Sequence, residues 1–174
     1  MLGSLGTSLP ATGMGTSAQS RKLDIRKLFE KLPPAGTTQW RAAASLLVLQ
    51  AQADKVWPNR STDSDGTVGD AAHQGRESDH NPWVKDGSMG VVTALDITHD
   101  PASGCDAQKI VDALVFSRDR RIKYLIWNRR IISASVQPWV WRSYSGSNPH
   151  DRHFHLSVGS NKALYDDKTT WILA

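Results

Sequence analysis

The spacing of apolar residues changes several times along the chain, and each change marks an element. RKLDIRKLFEKL (21–32) sets Leu23, Leu28, Phe29 and Leu32 at helical spacing before Pro33-Pro34, which predicts a short amphipathic helix. Trp40, Ala43, Ala44, Leu47 and Ala51 recur on one face, and Thr37 or Thr38 can cap them, so the main early helix is predicted over 39–53. Residues 57–90 are then dominated by Gly, Asp, Ser, Asn and His, a long irregular stretch of the kind that usually carries function. The apolar run GVVTALDI follows, then a helix beginning near Asp106 (DAQKIVDALVFS), a hairpin of KYLIW and RIISA turning at Asn128-Arg129, and a terminal strand HFHLSV. This order predicts an α+β fold with a small, largely antiparallel sheet and helices packed on it.

Length and composition narrow the organisation. At 174 residues the chain suits one domain with its own core. Residues 1–20 carry no charged side chain and are rich in Gly, Ser and Thr, which predicts a flexible tail or assembly arm ahead of a single domain over 21–174. No stretch of about 18 apolar residues is present to span a membrane. The N-terminus lacks the basic and apolar regions of a secretory signal, so the expected location is a host cytoplasm until lysis, a virion, or the bacterial cell wall. One cysteine, Cys105, excludes an internal disulfide and a cysteine-based zinc ribbon. The net charge of +4 and pI near 9.4 favour an anionic partner such as nucleic acid, an acidic membrane face or the bacterial cell wall. The densest basic run, RDRRIK (118–123), reads as a solvated turn ahead of a strand.

The candidate chemistry is concentrated. All six histidines, His73, His80, His99, His150, His153 and His155, follow the early helices. Alternation along the strand read in HDRHFHLSV puts Asp151, His153 and His155 on one face and Arg152, Phe154 and Leu156 on the other. Asp96 ends the apolar VVTAL, where a carboxylate is costly to bury unless it is paired or binds a metal. A loop histidine in GDAAHQGRESDH, this strand aspartate and a histidine from a second strand together make three N/O ligands, the donor set of a catalytic zinc site with one open position.

These residues, Ser78-Asp79-His80, then Ala94-Leu95-Asp96-Ile97, then His153-Phe154-His155-Leu156-Ser157-Val158, resemble the zinc peptidases of the D-alanyl-D-alanine carboxypeptidase and L-alanyl-D-glutamate endopeptidase family, whose fold is shared with the hedgehog signalling domain. The resemblance spans about residues 40–160. It implies zinc as cofactor, held by His80, Asp96 and His155, and bacterial peptidoglycan as the partner of an endolysin or cell-wall hydrolase. The sequence departs from the family twice. Fifteen residues separate His80 from Asp96, far more than in the family pattern S-x-H-x-x-G-x-A-x-D, which implies an inserted loop. Arg152 occupies the place where relatives keep an acid, so Asp151 is the leading general base and His153 its alternative, as base or as the group that orients the water. Arg76 is placed to stabilise an oxyanion, and Ser78, Trp83 and Trp141, with Trp139, are candidate substrate contacts, although tryptophans near strands more often belong to the core. Two rival functions remain, a metal-dependent nuclease and a non-catalytic metal-binding virion module; on the main reading no nucleic acid is a partner, and the N-terminal arm is the place for an assembly partner.

Overall fold

The computed structural model describes residues 39–68 and 78–173. The N-terminal arm, the helix expected over 21–32, the caps Thr37 and Thr38, and His73 and Arg76 lie outside the described residues. The chain runs β1 (Trp40–Ala42), α1 (Ala44–Val56), β2 (Val84–Asp86), β3 (Met89–Val92), β4 (Ala94–Thr98), α2 (Ala107–Ser117), β5 (Ile122–Trp127), β6 (Arg130–Ser133), β7 (Arg142–Ser143), β8 (His153–Val158) and α3 (Lys162–Tyr165). These build an α+β fold with two mostly antiparallel sheets. One has the order β1-β3-β2, with β1 parallel to β3; the other, β4-β8-β5-β6-β7, is antiparallel throughout.

The run GVVTALDI is thus split between the two sheets. Thr93 is the hinge: its N–H donates to the Asp79 carbonyl at 3.1 Å, and its carbonyl accepts from Val158 at 2.9 Å. In the five-stranded sheet β8 lies between β4 and β5, and Leu95, Ile97, Leu125, Phe154 and Leu156 are fully buried on one face. α1 covers that face near β4 with Leu46 and Leu49, and α2 covers β5 and β8 with Ile110, Val111 and Leu114. Each such side chain contributes roughly 1.5–3 kcal/mol by leaving water. This one-sided core leaves the opposite face of β4, β8 and β5 free for polar residues.

Local signals account for most boundaries. Asp106 caps α2, its carboxylate accepting from the Gln108 N–H at 2.9 Å. The β5–β6 hairpin turns at Asn128 and Arg129 with φ of 46° and 59°, the double left-handed pair of a type I′ turn. Between Ile122 and Tyr124 the register against β8 shifts by one residue, so Ile122 enters the core while Tyr124 turns to the polar face.

Two expectations are corrected. The early helix starts at Ala44, not 39, because Trp40–Ala42 pair with Gly90–Val92 of β3 instead. The α1 N-terminus has no side-chain cap from its own flank; Asp166 reaches across from the end of α3 to accept from the Ala44 N–H at 3.3 Å while holding Arg41 through both oxygens at 2.7 Å. The basic run RDRRIK is not wholly solvated either. Arg118 and Arg120 are exposed, but Arg121 is buried, paired with Asp119 at 2.5 Å, donating to the Thr169 carbonyl at 2.6 Å and stacked 3.6 Å over the Trp171 ring. It pins the C-terminal segment to the sheet.

A second buried arginine shapes the surroundings of Asp96. Arg60 bridges Asp54 of α1 and Asp65, both at 2.6 Å. Asp65 in turn accepts from the Thr98 N–H at 2.9 Å and hydroxyl at 2.8 Å, and Gly66 exchanges backbone bonds with Asp96 at 2.7 and 3.2 Å, so residues 60–67 close the open edge of β4. Burial disfavours the ionised Asp65, but Arg60 and Thr98 outweigh it and hold the carboxyl below its usual range. A depressed folded-state value gives stability that is present above the ordinary carboxylate pKa and lost as pH falls through the folded-state value. Asp65→Asn strands Arg60 with one partner and is expected to cost about 3–5 kcal/mol. Denaturant melts at pH 7 and pH 3 check this: the wild-type advantage should be large at neutral pH and shrink in acid.

Candidate metal centre

The polar face of the five-stranded sheet is built from pairings. Asp96 lies directly opposite His155, Thr98 opposite His153, and Ala94 opposite Ser157; on the other side of β8, Ile126 pairs with His155 and Tyr124 with Ser157. Residues opposite one another share a face. Asp96 and His155 therefore converge because their backbones are paired, while Leu95 and Phe154 beside them are held in the core.

His80 joins them from the turn of residues 78–83. The Asn81 N–H donates to the Ser78 carbonyl at 2.9 Å, and the Ser78 hydroxyl accepts from the His80 N–H at 3.3 Å. Asp79 is fixed on both sides, its carbonyl accepting from Thr93 and its carboxylate paired with Lys123 at 2.8 Å. Pro82 packs so closely over Gly90 of β3 that a Cβ there would lie 2.6 Å from the proline ring, so this approach requires glycine.

The ring nitrogens are oriented for a shared task. His80 Nδ1 donates to the Thr67 carbonyl at 2.8 Å, leaving the Nε2 lone pair directed inward. His155 Nε2 lies 2.9 Å from the Ser157 hydroxyl, leaving Nδ1 toward Asp96 Oδ1 at 3.0 Å and His80 Nε2 at 3.1 Å. His80 Nε2 is 3.4 Å from the same Asp96 oxygen. Three electron-rich atoms facing one another at these distances repel unless a proton or a cation lies among them. His80, Asp96 and His155 thus form a group able to hold a metal ion.

Without a metal the proton distribution follows burial and pairing. Burial alone would raise the Asp96 carboxyl, but bonds from His155 and His80 outweigh it and hold the group well below the usual carboxylate range. Burial also opposes charge on His80, yet Asp96 raises that ring above its ordinary value. His155 is depressed, its complete burial outweighing Asp96. Tyr124 stacks on His155 with centroids 5.3 Å apart and is pushed up by its own burial.

The expected site residues divide unevenly. His80, Asp96 and His155 are brought together. His153 is close by, its Nε2 3.5 Å from Asp96 Oδ2. Asp151 does not share their face: β8 begins at His153, and Asp151 sits exposed in the bend before it. The alternation fails there because His150 adopts a left-handed φ of 52°, which breaks the extended conformation. That same turn buries His150, which joins Asp96 and His153 as a second group of convergent ligand atoms. His150 was missed because alternation assumes a strand; its signal was the preceding Asn148-Pro149, a turn pair, and the carbonyls of Pro149 and His150 accept from the Arg129 and Asn128 N–H groups of the hairpin. His150 Nδ1 donates to the Asn148 carbonyl at 2.9 Å, and burial, then the nearby His155, push its pKa down to about 4.

The remaining residues lie elsewhere. Ser78 shapes the His80 turn, Trp83 is exposed, and Trp139 and Trp141 pack on the core, Trp141 with the Arg130 guanidinium 4.9 Å over its ring. His99 caps α2 by accepting from the Ala107 N–H at 3.1 Å. Cys105 is buried and donates to the Thr98 carbonyl, its thiol pushed up to about 11 by burial, so it is inert at neutral pH. Among the described residues no helix is long and apolar enough to cross a membrane. No protein-family model, curated protein or solved structure matches the chain.

Ser157 holds the outer nitrogen of the His155 ring through a hydroxyl that can donate or accept. Were the triad to take up added zinc, Ser157→Ala is expected to weaken that uptake by about 10–100-fold, read by competition with a chromophoric chelator, with the circular dichroism spectrum unchanged.

Proposed function

We propose that the chain is a zinc-dependent peptidase of the D-alanyl-D-alanine carboxypeptidase and L-alanyl-D-glutamate endopeptidase type, with the hedgehog-like fold, cleaving stem peptides of bacterial peptidoglycan. The observation that carries the reading is the convergence of His80 Nε2, His155 Nδ1 and Asp96 Oδ1, each outer ring nitrogen already engaged by Thr67 or Ser157. Their separations of 3.0, 3.1 and 3.4 Å are close to the edge of about 3.3 Å that a tetrahedral zinc polyhedron requires with bonds of 2.0–2.1 Å. The order of ligands, loop histidine, strand aspartate, strand histidine, is that of the family the motifs resemble.

Zinc in this position supplies a Lewis acid for a peptide carbonyl and for the attacking water. The chain supplies orientation and proton handling. Ser157 and Thr67 fix the rings, and the buried sheet face behind them keeps the ligands from rearranging. His153, beside the free oxygen of Asp96, takes the proton-handling role, since Asp151 is exposed beyond the strand and Arg152 is exposed as well. A set of imidazoles with a single carboxylate suits zinc better than magnesium or manganese, which argues against a nuclease of the magnesium type. The basic charge suits an anionic wall polymer, and the N-terminal arm leaves a place for an assembly partner.

Purified protein should carry zinc and release new amino or carboxyl termini from peptidoglycan. His80→Ala should abolish both. His153→Ala should lower kcat by about 10²–10⁴-fold, while Asp151→Ala stays near wild type. Wild-type protein without zinc that leaves peptidoglycan intact would overturn the reading.

A further inference from the structure

Asp96 offers its two oxygens to two different sets of histidines. Oδ1 faces His155 and His80, whereas Oδ2 faces His153 Nε2 at 3.5 Å. His150 packs against both strand histidines, its ring centroid 5.1 Å from that of His153 and 5.6 Å from that of His155. Because His150 Nδ1 donates to the Asn148 carbonyl, its lone pair sits on Nε2.

His153 is poorly satisfied on both nitrogens. Nδ1 is buried without a hydrogen-bond partner among the described residues, and Nε2 meets Asp96 Oδ2 and Asn148 Nδ2 only at 3.5 Å, the outer limit of a hydrogen bond. A cation at Nε2, the nitrogen facing Asp96 Oδ2, would replace two contacts at the outer limit with one full bond. Asp96, His150 and His153 together bring their ligand atoms within 4.8 Å of one another, as the first triad does.

We propose that His150, His153 and Asp96 Oδ2 form a second transition-metal site, adjacent to the first and sharing Asp96 as a bridging carboxylate. Paired metals in hydrolases sit about 3.5–4 Å apart, a spacing that one carboxylate spans through its two oxygens. The second site is the weaker one: its carboxylate is already committed to the first ion, and among the described residues no other acid joins the group, so the second cation enters against the charge of the first. The donor set, imidazole with one carboxylate, selects zinc or cobalt over magnesium or calcium. This inference rests on the metal half of the peptidase reading, and on no part of the peptidase chemistry. Where the second ion binds, it engages His153, so high metal concentrations inhibit any reaction that uses that ring for protons.

Equilibrium dialysis of the metal-free full chain against zinc, with cobalt(II) absorption as an independent count, tests it. The wild type should bind two equivalents in two separated steps; His150→Gln and His153→Gln should each leave only the tighter one, with thermal melts confirming that both variants fold. A wild type that saturates at one equivalent, or Gln variants that still bind two, would overturn the second site while leaving the first intact. A wild type that binds no zinc would overturn both sites together.

Discussion

The register of β4 against β8 is the constraint on which the rest depends. Placing Asp96 opposite His155 aligns Leu95 with Leu156 and Ile97 with Phe154 on the reverse face, so one set of backbone pairings defines both the core and the polar cluster. A slip of one residue would turn Phe154 and Leu156 to the polar face and bury two histidines against α1 and α2. The hydrophobic core therefore enforces the geometry of the polar cluster: the free energy that keeps Leu95, Phe154 and Leu156 out of water also keeps Asp96 and His155 face to face.

Around that register, three separate segments supply what the sheet cannot. The edge of β4 is closed by residues 60–67, and the same segment delivers the Thr67 carbonyl that sets the His80 tautomer. Arg60 connects this segment to α1, so a buried ion pair with no chemistry of its own helps hold the His80 ring in orientation. The turn of residues 78–83 brings His80 over the sheet and is tied to β5 through Asp79 and Lys123. On the far side, the β5–β6 turn fastens the Pro149 and His150 backbone and with it the His150 ring. The cluster is thus a meeting of loops on a rigid sheet, a common arrangement for sites that need exact geometry and open access.

Four histidines around one carboxylate also explain why Asp96 tolerates its position. Only 18% of its side chain is exposed, and an isolated carboxylate there would be strongly disfavoured. Its bonds to His155 and His80 reverse that penalty, and a divalent cation among the same atoms would do so more completely. His80, raised above its ordinary value by Asp96, and His155, depressed by burial, show pairing and desolvation acting in opposite senses on neighbouring rings.

Much of this could be read from residue order. Alternation in HFHLSV, the cost of a carboxylate after VVTAL, the Asn128-Arg129 turn and the Asp106 cap each reflect local chemistry that the surrounding fold leaves unchanged, and they locate the hairpin, α2, Asp96 and His155. What the sequence could not decide depended on contacts between distant segments. Trp40–Ala42 became a strand because β3 offered an edge, α1 found its cap on Asp166, Arg121 was buried by a C-terminal segment, and His150 displaced Asp151 because a turn fastened to another hairpin reversed the backbone. Local pattern determines which face of a strand a residue takes; only the tertiary structure decides where the strand begins, because that is set by partners supplied from elsewhere in the chain.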